Sequence, residues 1–310
     1  FKSNKNKEGV MMLSVIIGII TIFMLCFILI KKFNYPVYLT PITSVAIIGI
    51  YMFITSIFGI YYIATICLQI FIIIFFLYQI KTNEQSNKLV LKKMCTTSMI
   101  VFVSTTLFFL IFYCYKNATF TSWDEFSFWG TSAKIIFWDK NLYTLFENPL
   151  IVKTYFPGLP LFCNYFLMYE TQFSEWICYF AYSVIYTSVF SIVFKNLKLK
   201  NYIIILIGLF LMFIITSATK FSFITIYSDM ILGLLFAAAV LIYFSKFDNN
   251  KFKNISLILT LMFLTTLKDM GFVLSGLVIF IILFDKLIYD KKKIGNTLKS
   301  IIIITFFVIL

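Results

Sequence analysis

Neither arginine nor histidine occurs in the 310 residues, so all 26 basic side chains are lysines. Without imidazole, no histidine can act as general base or metal ligand. Without guanidinium, no planar two-pronged grip on a phosphate can form. A bound phosphate would have to be held by lysine, backbone N–H groups, hydroxyls or a metal. Acids are scarce as well, 13 in all, and charged residues of both signs make up only 13% of the chain. The six cysteines (Cys26, Cys67, Cys95, Cys114, Cys163 and Cys178) fall singly in apolar segments. With no Cys-x-x-Cys spacing and no histidine to complete a zinc set, they read as small buried hydrophobes. There is no glycine-rich phosphate loop, dinucleotide fingerprint, internal repeat or low-complexity tract, which leaves nucleotide binding without support. Lysine to the exclusion of arginine, beside abundant Ile, Asn and Phe, fits the codon usage of an AT-rich bacterial genome.

What is abundant is apolar surface: 61% hydrophobic residues, 20% aromatic, mean hydropathy +0.97. A soluble globule needs polar faces at helical spacing, whereas here apolar runs long enough to cross about 30 Å of hydrocarbon follow one another with short charged punctuation. Strand-like alternation is absent. The expected fold is an all-α, polytopic transmembrane bundle forming a single domain over residues 1–310, with an external loop at 116–171 that carries interfacial helices. The chain ends inside an apolar run, Ile301 to Leu310, which suggests a missing C-terminal part.

Spans are expected at 10–30, 40–57, 61–80, 94–115, 172–194, 201–219 and 227–245, with the long apolar stretch 38–80 divided near Gly59. Segment 255–284 is interrupted by Lys268 and Asp269, and reads as two short helices meeting at Leu267-Lys268-Asp269-Met270-Gly271. If the punctuation at 31–32, 81–93, 195–200, 246–253 and 285–300 shares one side, that side collects 17 lysines against four acids. By the positive-inside rule it is cytoplasmic. The opposite side holds six lysines and eight acids. The Lys2, Lys5, Lys7 tail also falls outside in this arrangement. The basic balance therefore reports topology and anionic membrane lipid, with no nucleic-acid partner implied. The localisation that follows is a multi-pass cell-membrane protein with its functional residues on the extracytoplasmic face.

Those residues begin with an acidic pair. Carboxylates are costly beside a bilayer, so Asp124 and Glu125 mark a candidate site. Ser122-Trp123-Asp124-Glu125 also has the spacing of a capping box, with Ser122 as N-cap and Glu125 reaching back to it, ahead of a helix over 126–140. Its aromatic residues Phe128, Trp129, Phe137 and Trp138 suit a helix lying in the membrane interface. Asp124 falls in the first turn, where the helix dipole stabilises negative charge and the carboxylate could take a proton from an incoming hydroxyl or amine. Tyr155-Phe156-Pro157-Gly158-Leu159-Pro160 fixes an irregular turn before the apolar Leu161 to Met168. Such backbone at interface depth either starts a helix or lines a cavity. Asp229 is either an N-cap or a site residue. Lys268, set between apolar helices, needs a partner, and the adjacent Asp269 or a ligand phosphate could supply one. Lys153 and Lys220 are weaker phosphate contacts. Asp124, Glu125 and Asp229 could together offer oxygens to a divalent metal, though nothing requires one.

Trp123-Asp124-Glu125-Phe126-Ser127-Phe128-Trp129-Gly130, Tyr155 to Pro160, Tyr227-Ser228-Asp229 and Leu267 to Gly271 resemble, in order and spacing, the GT-C superfamily of polyprenyl-phosphate-sugar-dependent glycosyltransferases. That group includes the protein O-mannosyltransferases and the lipid A aminoarabinose transferases. The resemblance spans residues 95–285. It implies a polyprenyl-phosphate-linked sugar donor, a glycan, lipid or protein acceptor, and inversion at the anomeric carbon. By the same resemblance Asp124 is the catalytic base with Glu125 completing the acidic pair, Tyr155 and Pro157 belong to the family's Tyr-Pro-Pro-Gly-like turn, and Lys268 contacts the donor phosphate. The competing expectation is a lipid-linked-oligosaccharide flippase or other transporter, which would carry paired charges and broken helices near the bilayer midplane.

Overall fold

The structure, a computed structural model, describes residues 2–82, 84–143, 155–218, 223, 225–245 and 250–289. Among these, regular structure is entirely helical. In chain order the helices are α1 (Lys2–Phe33), α2 (Thr40–Ile57), α3 (Tyr61–Thr82), α4 (Glu84–Met94), α5 (Thr97–Lys116), α6 (Gly130–Asp139), α7 (Gly158–Leu167), α8 (Glu175–Val193), α9 (Tyr202–Ala218), α10 (Ser228–Phe244), α11 (Asn250–Thr265) and α12 (Asp269–Tyr289). Among the described residues six stretches are long and apolar enough to cross a membrane: Met12–Phe33, Val37–Ile57, Tyr61–Thr82, Thr97–Lys116, Glu175–Val193 and Asp269–Ile288. The chain is therefore a multi-pass helical membrane protein.

Burial grades the helices by position. Helix α8 is central: every residue from Trp176 to Ile192 is buried. Its hydroxyls do not go unsatisfied in this apolar setting. Ser183, Ser188 and Ser191 donate to carbonyls three residues back, at 2.6–2.7 Å. Thr187 shares a hydrogen bond of 2.9 Å with Thr106 of α5, the helix that lies along it. Helices α3, α9 and α12 are peripheral and turn rows of Ile, Leu and Phe outward, as lipid-facing surfaces do.

The lysine-rich punctuation gathers at one end. Lys31 donates to the Gln79 carbonyl and to Asn87 (2.5 Å), Lys93 reaches Asn34 at 2.9 Å, and Tyr35 bonds Ser256 at 2.6 Å. Lys253 lies over the Tyr243 ring, whose hydroxyl donates to Asp285 at 2.7 Å. At the other end Tyr61 donates to the Ile136 carbonyl at 3.0 Å and Tyr62 to that of Met168 at 3.3 Å. There Phe156 also meets Phe53 and Phe272, with ring centroids 6.2 and 5.4 Å away. The described residues of the two sets of connections separated by charge in the sequence thus lie at opposite ends of the bundle.

Three expectations need correction. Segment 255–284 is broken where expected, at Thr266 to Lys268, but its second half is not short: α12 has 21 residues, and α11 has 16. Helices α10, α11 and α12 pack on one another, and Lys268 sits in the turn between α11 and α12, beside Asp229. Second, the charged 81–93 stretch is not plain punctuation. From Glu84 on it folds into α4, which packs along α1 through Val90 against Phe27 and Ile30. Third, the apolar segment after the Tyr155 turn starts its helix at Gly158, inside the turn, and all ten residues of α7 are buried. The apolar run 301–310 lies outside the described residues.

Candidate functional site

A cavity of about 190 Å³ opens at the acidic end and is lined by Trp123, Asp124, Ser127, Phe128, Trp129, Tyr155, Asp229 and Lys268. Four separate parts of the chain build it, and each is held by a local device.

The first wall is the helix that follows Ser122. It begins with a π-helical turn, Glu125–Trp129, and the amide of Gly130 donates to the Glu125 carbonyl five residues back. A π turn widens the helix and shifts its register, a device that often re-aims side chains at binding sites. Here Trp123, Asp124, Ser127, Phe128 and Trp129 all reach the cavity. Of the aromatic residues expected as interfacial anchors, Trp138 faces outward at 57% exposure, whereas Phe128, Trp129 and Phe137 are buried in the bundle; Phe126 takes an outward position instead.

The acidic pair divides. Asp124 lines the cavity, while Glu125 is turned inward, fully buried. Glu125 Oε2 accepts the Ser122 amide at 2.8 Å, the reach-back of a capping box, and also the Thr121 amide at 2.7 Å. Its Oε1 accepts the Tyr179 hydroxyl at 2.9 Å and the Ile226 amide at 3.0 Å. Both oxygens are therefore fully engaged. The expectation that Glu125 acts chemically beside Asp124 does not match this geometry; its observed role is to join the first wall, α8 and the segment leading into α10. The oxygen site considered for a divalent metal is likewise not assembled, because Glu125 is turned away from Asp124 and Asp229. Among the described residues no three His, Cys, Asp or Glu side chains converge.

The second wall is Tyr155. Its ring stacks on Trp129 with centroids 5.7 Å apart and planes 14° apart, meets Phe128 edge-on at 4.9 Å, and lies 5.4 Å from the Lys268 ammonium. Its carbonyl accepts the Tyr143 hydroxyl. Pro157 does not line the cavity. It is buried and precedes the first residue of α7, where a fixed φ suits a helix entry.

Gly158 then ties this turn to the third wall. Its amide donates to the Thr266 carbonyl at 2.9 Å, and a Cβ there would stand 2.4 Å from that same oxygen. Only glycine lets the two backbones approach so closely. The break after α11 uses a second such contact: a Cβ on Gly271 would lie 2.1 Å from the Leu264 carbonyl. The Gly271 amide donates to the Lys268 carbonyl at 2.7 Å. Lys268 is thus aimed by a rigid turn.

The fourth wall is the first turn of α10. Asp229 is its second residue rather than its N-cap, which is Tyr227. Its carboxylate is 2.8 Å from Lys268 Nζ, with the lysine side chain 22% exposed and the aspartate 52%. The partner of Lys268 is therefore Asp229, in place of the adjacent Asp269. Lys153 and Lys220 lie outside the described residues.

The sequence reading named Asp124, Tyr155, Asp229 and Lys268, which the fold brings together, and missed Trp123, Ser127, Phe128 and Trp129 as lining residues. The signal was present, since 123, 124, 127 and 128 recur on one helical face. The aromatic members had been assigned to the membrane interface. Chemically the cavity offers one ammonium, two carboxylates and an aromatic wall. No protein-family model, no curated protein and no solved structure matches the chain.

Proposed function

We propose that the protein is a membrane glycosyltransferase. It moves a sugar from a polyprenyl-phosphate donor to a glycan, lipid or protein acceptor on the outer face of a bacterial cell membrane. The observation that carries this reading is that Asp124 and Lys268, from distant parts of the chain, line one cavity. In the reaction the acceptor hydroxyl or amine attacks the anomeric carbon and passes its proton to Asp124. The bond from that carbon to the phosphate oxygen breaks, and the phosphate leaves with the electron pair. An ammonium has three donors, so Lys268 can keep Asp229 and still stabilise the leaving phosphate. The stacked Trp129 and Tyr155 supply a flat apolar wall for one face of a sugar ring. Attack opposite the departing phosphate inverts the anomeric centre.

A transporter would carry its charged pair near mid-depth. Lys268 instead directly precedes Asp269–Ile288, a stretch long and apolar enough to cross a membrane by itself, so its pair with Asp229 belongs to the end of a span, which favours the transferase.

The test is mass spectrometry of envelope glycans from cells expressing the wild-type protein or Asp124→Asn. A glycan modification that depends on the gene and vanishes in the variant, with protein level and thermal transition unchanged, supports the reading. Unaltered glycans with and without the gene, under expressing conditions, would overturn it.

A further inference from the structure

The opposite end of the bundle carries a second surface, built around α4. Val90 turns into the bundle against Phe27 and Ile30. Its neighbours Leu89 and Leu91 point about 100° to either side of it, as helical geometry requires. They stand 57% and 55% exposed. Lys88, Lys92 and Lys93 are exposed on the remaining faces. Lys81, at the end of α3, and Lys32, at the end of α1, are exposed beside them. Between residues 31 and 94 the sequence holds six lysines and a single acid, Glu84. The hydrogen bonds of Lys31 and Lys93 go to neutral groups, the Gln79 carbonyl, Asn87 and Asn34, so they leave the positive charge in place.

We propose that α4 is a docking surface for anionic phospholipid, with the headgroup phosphate held by Lys88, Lys92 and Lys93 and the acyl chains lying against Leu89 and Leu91. Charge complementarity identifies the headgroup, since lysine clusters on an amphipathic helix beside a span attract anionic lipid. The leucines argue for lipid over a free anion, because inorganic phosphate offers nothing to exposed hydrocarbon. Continuity supports the same occupant. The outward face of the neighbouring α3, with Leu77, Tyr78 and Ile80 exposed, runs to this corner and is the surface that acyl chains already cover in a spanning protein. A lysine stem is long enough to lie along such leucines with its ammonium in the phosphate layer, as basic side chains do at an interface. This surface is separate from the cavity and does not depend on the reaction proposed for it.

The test uses the full-length chain in detergent micelles equilibrated with equimolar phosphatidylglycerol and phosphatidylcholine, with bound lipids counted by native mass spectrometry. Each lysine near an anionic surface contributes roughly a five-fold preference. The wild type should therefore retain phosphatidylglycerol over phosphatidylcholine by about ten-fold or more, and Lys88→Gln/Lys92→Gln/Lys93→Gln should bring the ratio close to one. Lys92→Gln alone should lower it several-fold and serves if the triple variant fails to fold. Leu89→Ser/Leu91→Ser should shorten lipid retention, and millimolar inorganic phosphate should leave it unchanged. The proposal is overturned if the triple variant keeps the wild-type preference. It is also overturned if removing Lys195, Lys251 and Lys253 at another corner abolishes the preference equally, or if inorganic phosphate displaces the lipid. A protein retained at α4 in place of lipid would likewise count against it.

Discussion

Replacing Glu125 by alanine should destabilise the protein more than any other single change at the acidic end. The side chain is fully buried and accepts four hydrogen bonds, from the amides of Thr121, Ser122 and Ile226 and the hydroxyl of Tyr179. Hydrogen bonds to a charged group contribute about 1.5–3 kcal/mol each, though a shared acceptor makes them far from additive. Tyr179 has a second acceptor at hand, the Thr119 carbonyl at 3.0 Å. The three amides have none among the bonds observed. A buried donor left without an acceptor costs about 1–3 kcal/mol, and with three such amides partly relieved by relaxation the expected loss for Glu125→Ala is roughly 3–5 kcal/mol. Glutamine keeps one accepting oxygen but puts an NH2 where the other donors point, so Glu125→Gln should lose about half as much. Denaturant or thermal unfolding of the purified protein in one detergent measures both, and hydrogen exchange at the three amides localises the effect. Glu125→Ala unfolding within about 0.5 kcal/mol of wild type, the range of an uninvolved surface change, would refute the reasoning.

Asp124→Asn should abolish glycan modification without moving the unfolding transition, because Asp124 lines the cavity and its side chain makes no hydrogen bond to another of the described residues; a large loss of stability would show a structural role instead. Lys268→Gln breaks a pair that is partly open to solvent, so it should cost at most about 1 kcal/mol while weakening binding of a lipid phosphate, and a titration with a soluble short-chain phosphate lipid would read this directly. Gly158→Ala puts a methyl group 2.4 Å from the Thr266 carbonyl and should cost about 1–3 kcal/mol while loosening the Lys268 turn; unchanged unfolding would mean that the two backbones can separate freely. Glu170 is buried in the loop after α7, and burial pushes its carboxyl up to about 8 from an ordinary 4.5, against a smaller opposing pull from the Ser14 backbone. The folded state then keeps a proton that the unfolded chain releases, so stability falls as pH rises from about 4.5 to about 8. Glu170→Gln should flatten that slope and raise stability at pH 8, and an unaltered pH profile would show that the carboxyl is solvated.

Much of this arrangement was legible in the sequence because local rules dictate it. The helix start after Ser122 follows from capping spacing, and the Glu125 reach-back to the Ser122 amide is the bond such a box prescribes. The break at Thr266 to Lys268 was visible as charge inside an apolar run. The irregular turn at Tyr155 was visible in its prolines and glycine. The separation of the two ends of the bundle followed from counting lysines. What could not be read locally depends on long-range partners. Nothing near Glu125 in sequence announces Tyr179 or Ile226, the donors that turn its carboxylate inward and take it out of the cavity. Charge hid α4: its segment is amphipathic, but it is polar and basic on average, so it read as a connection between spans rather than as a helix.

The division of labour within the acidic pair also explains how a site with so few charges can be rigid. Glu125 secures the amide of Ile226, three residues before Asp229, and the amides of Thr121 and Ser122, just before Asp124. Gly158 secures the carbonyl of Thr266, two residues before Lys268, to the turn that carries Tyr155. Each functional side chain is thus one to three residues from a fixed backbone contact, and within the cavity the two fixed assemblies meet through the Lys268–Asp229 pair and the aromatic wall. A ligand phosphate that competes for Lys268 would loosen that pair while both assemblies stay in place. Asp229→Asn should therefore change affinity for a phosphate lipid without altering the unfolding cost of Glu125→Ala. Coupling between the two substitutions in a double-mutant cycle would show that the walls are not independently held.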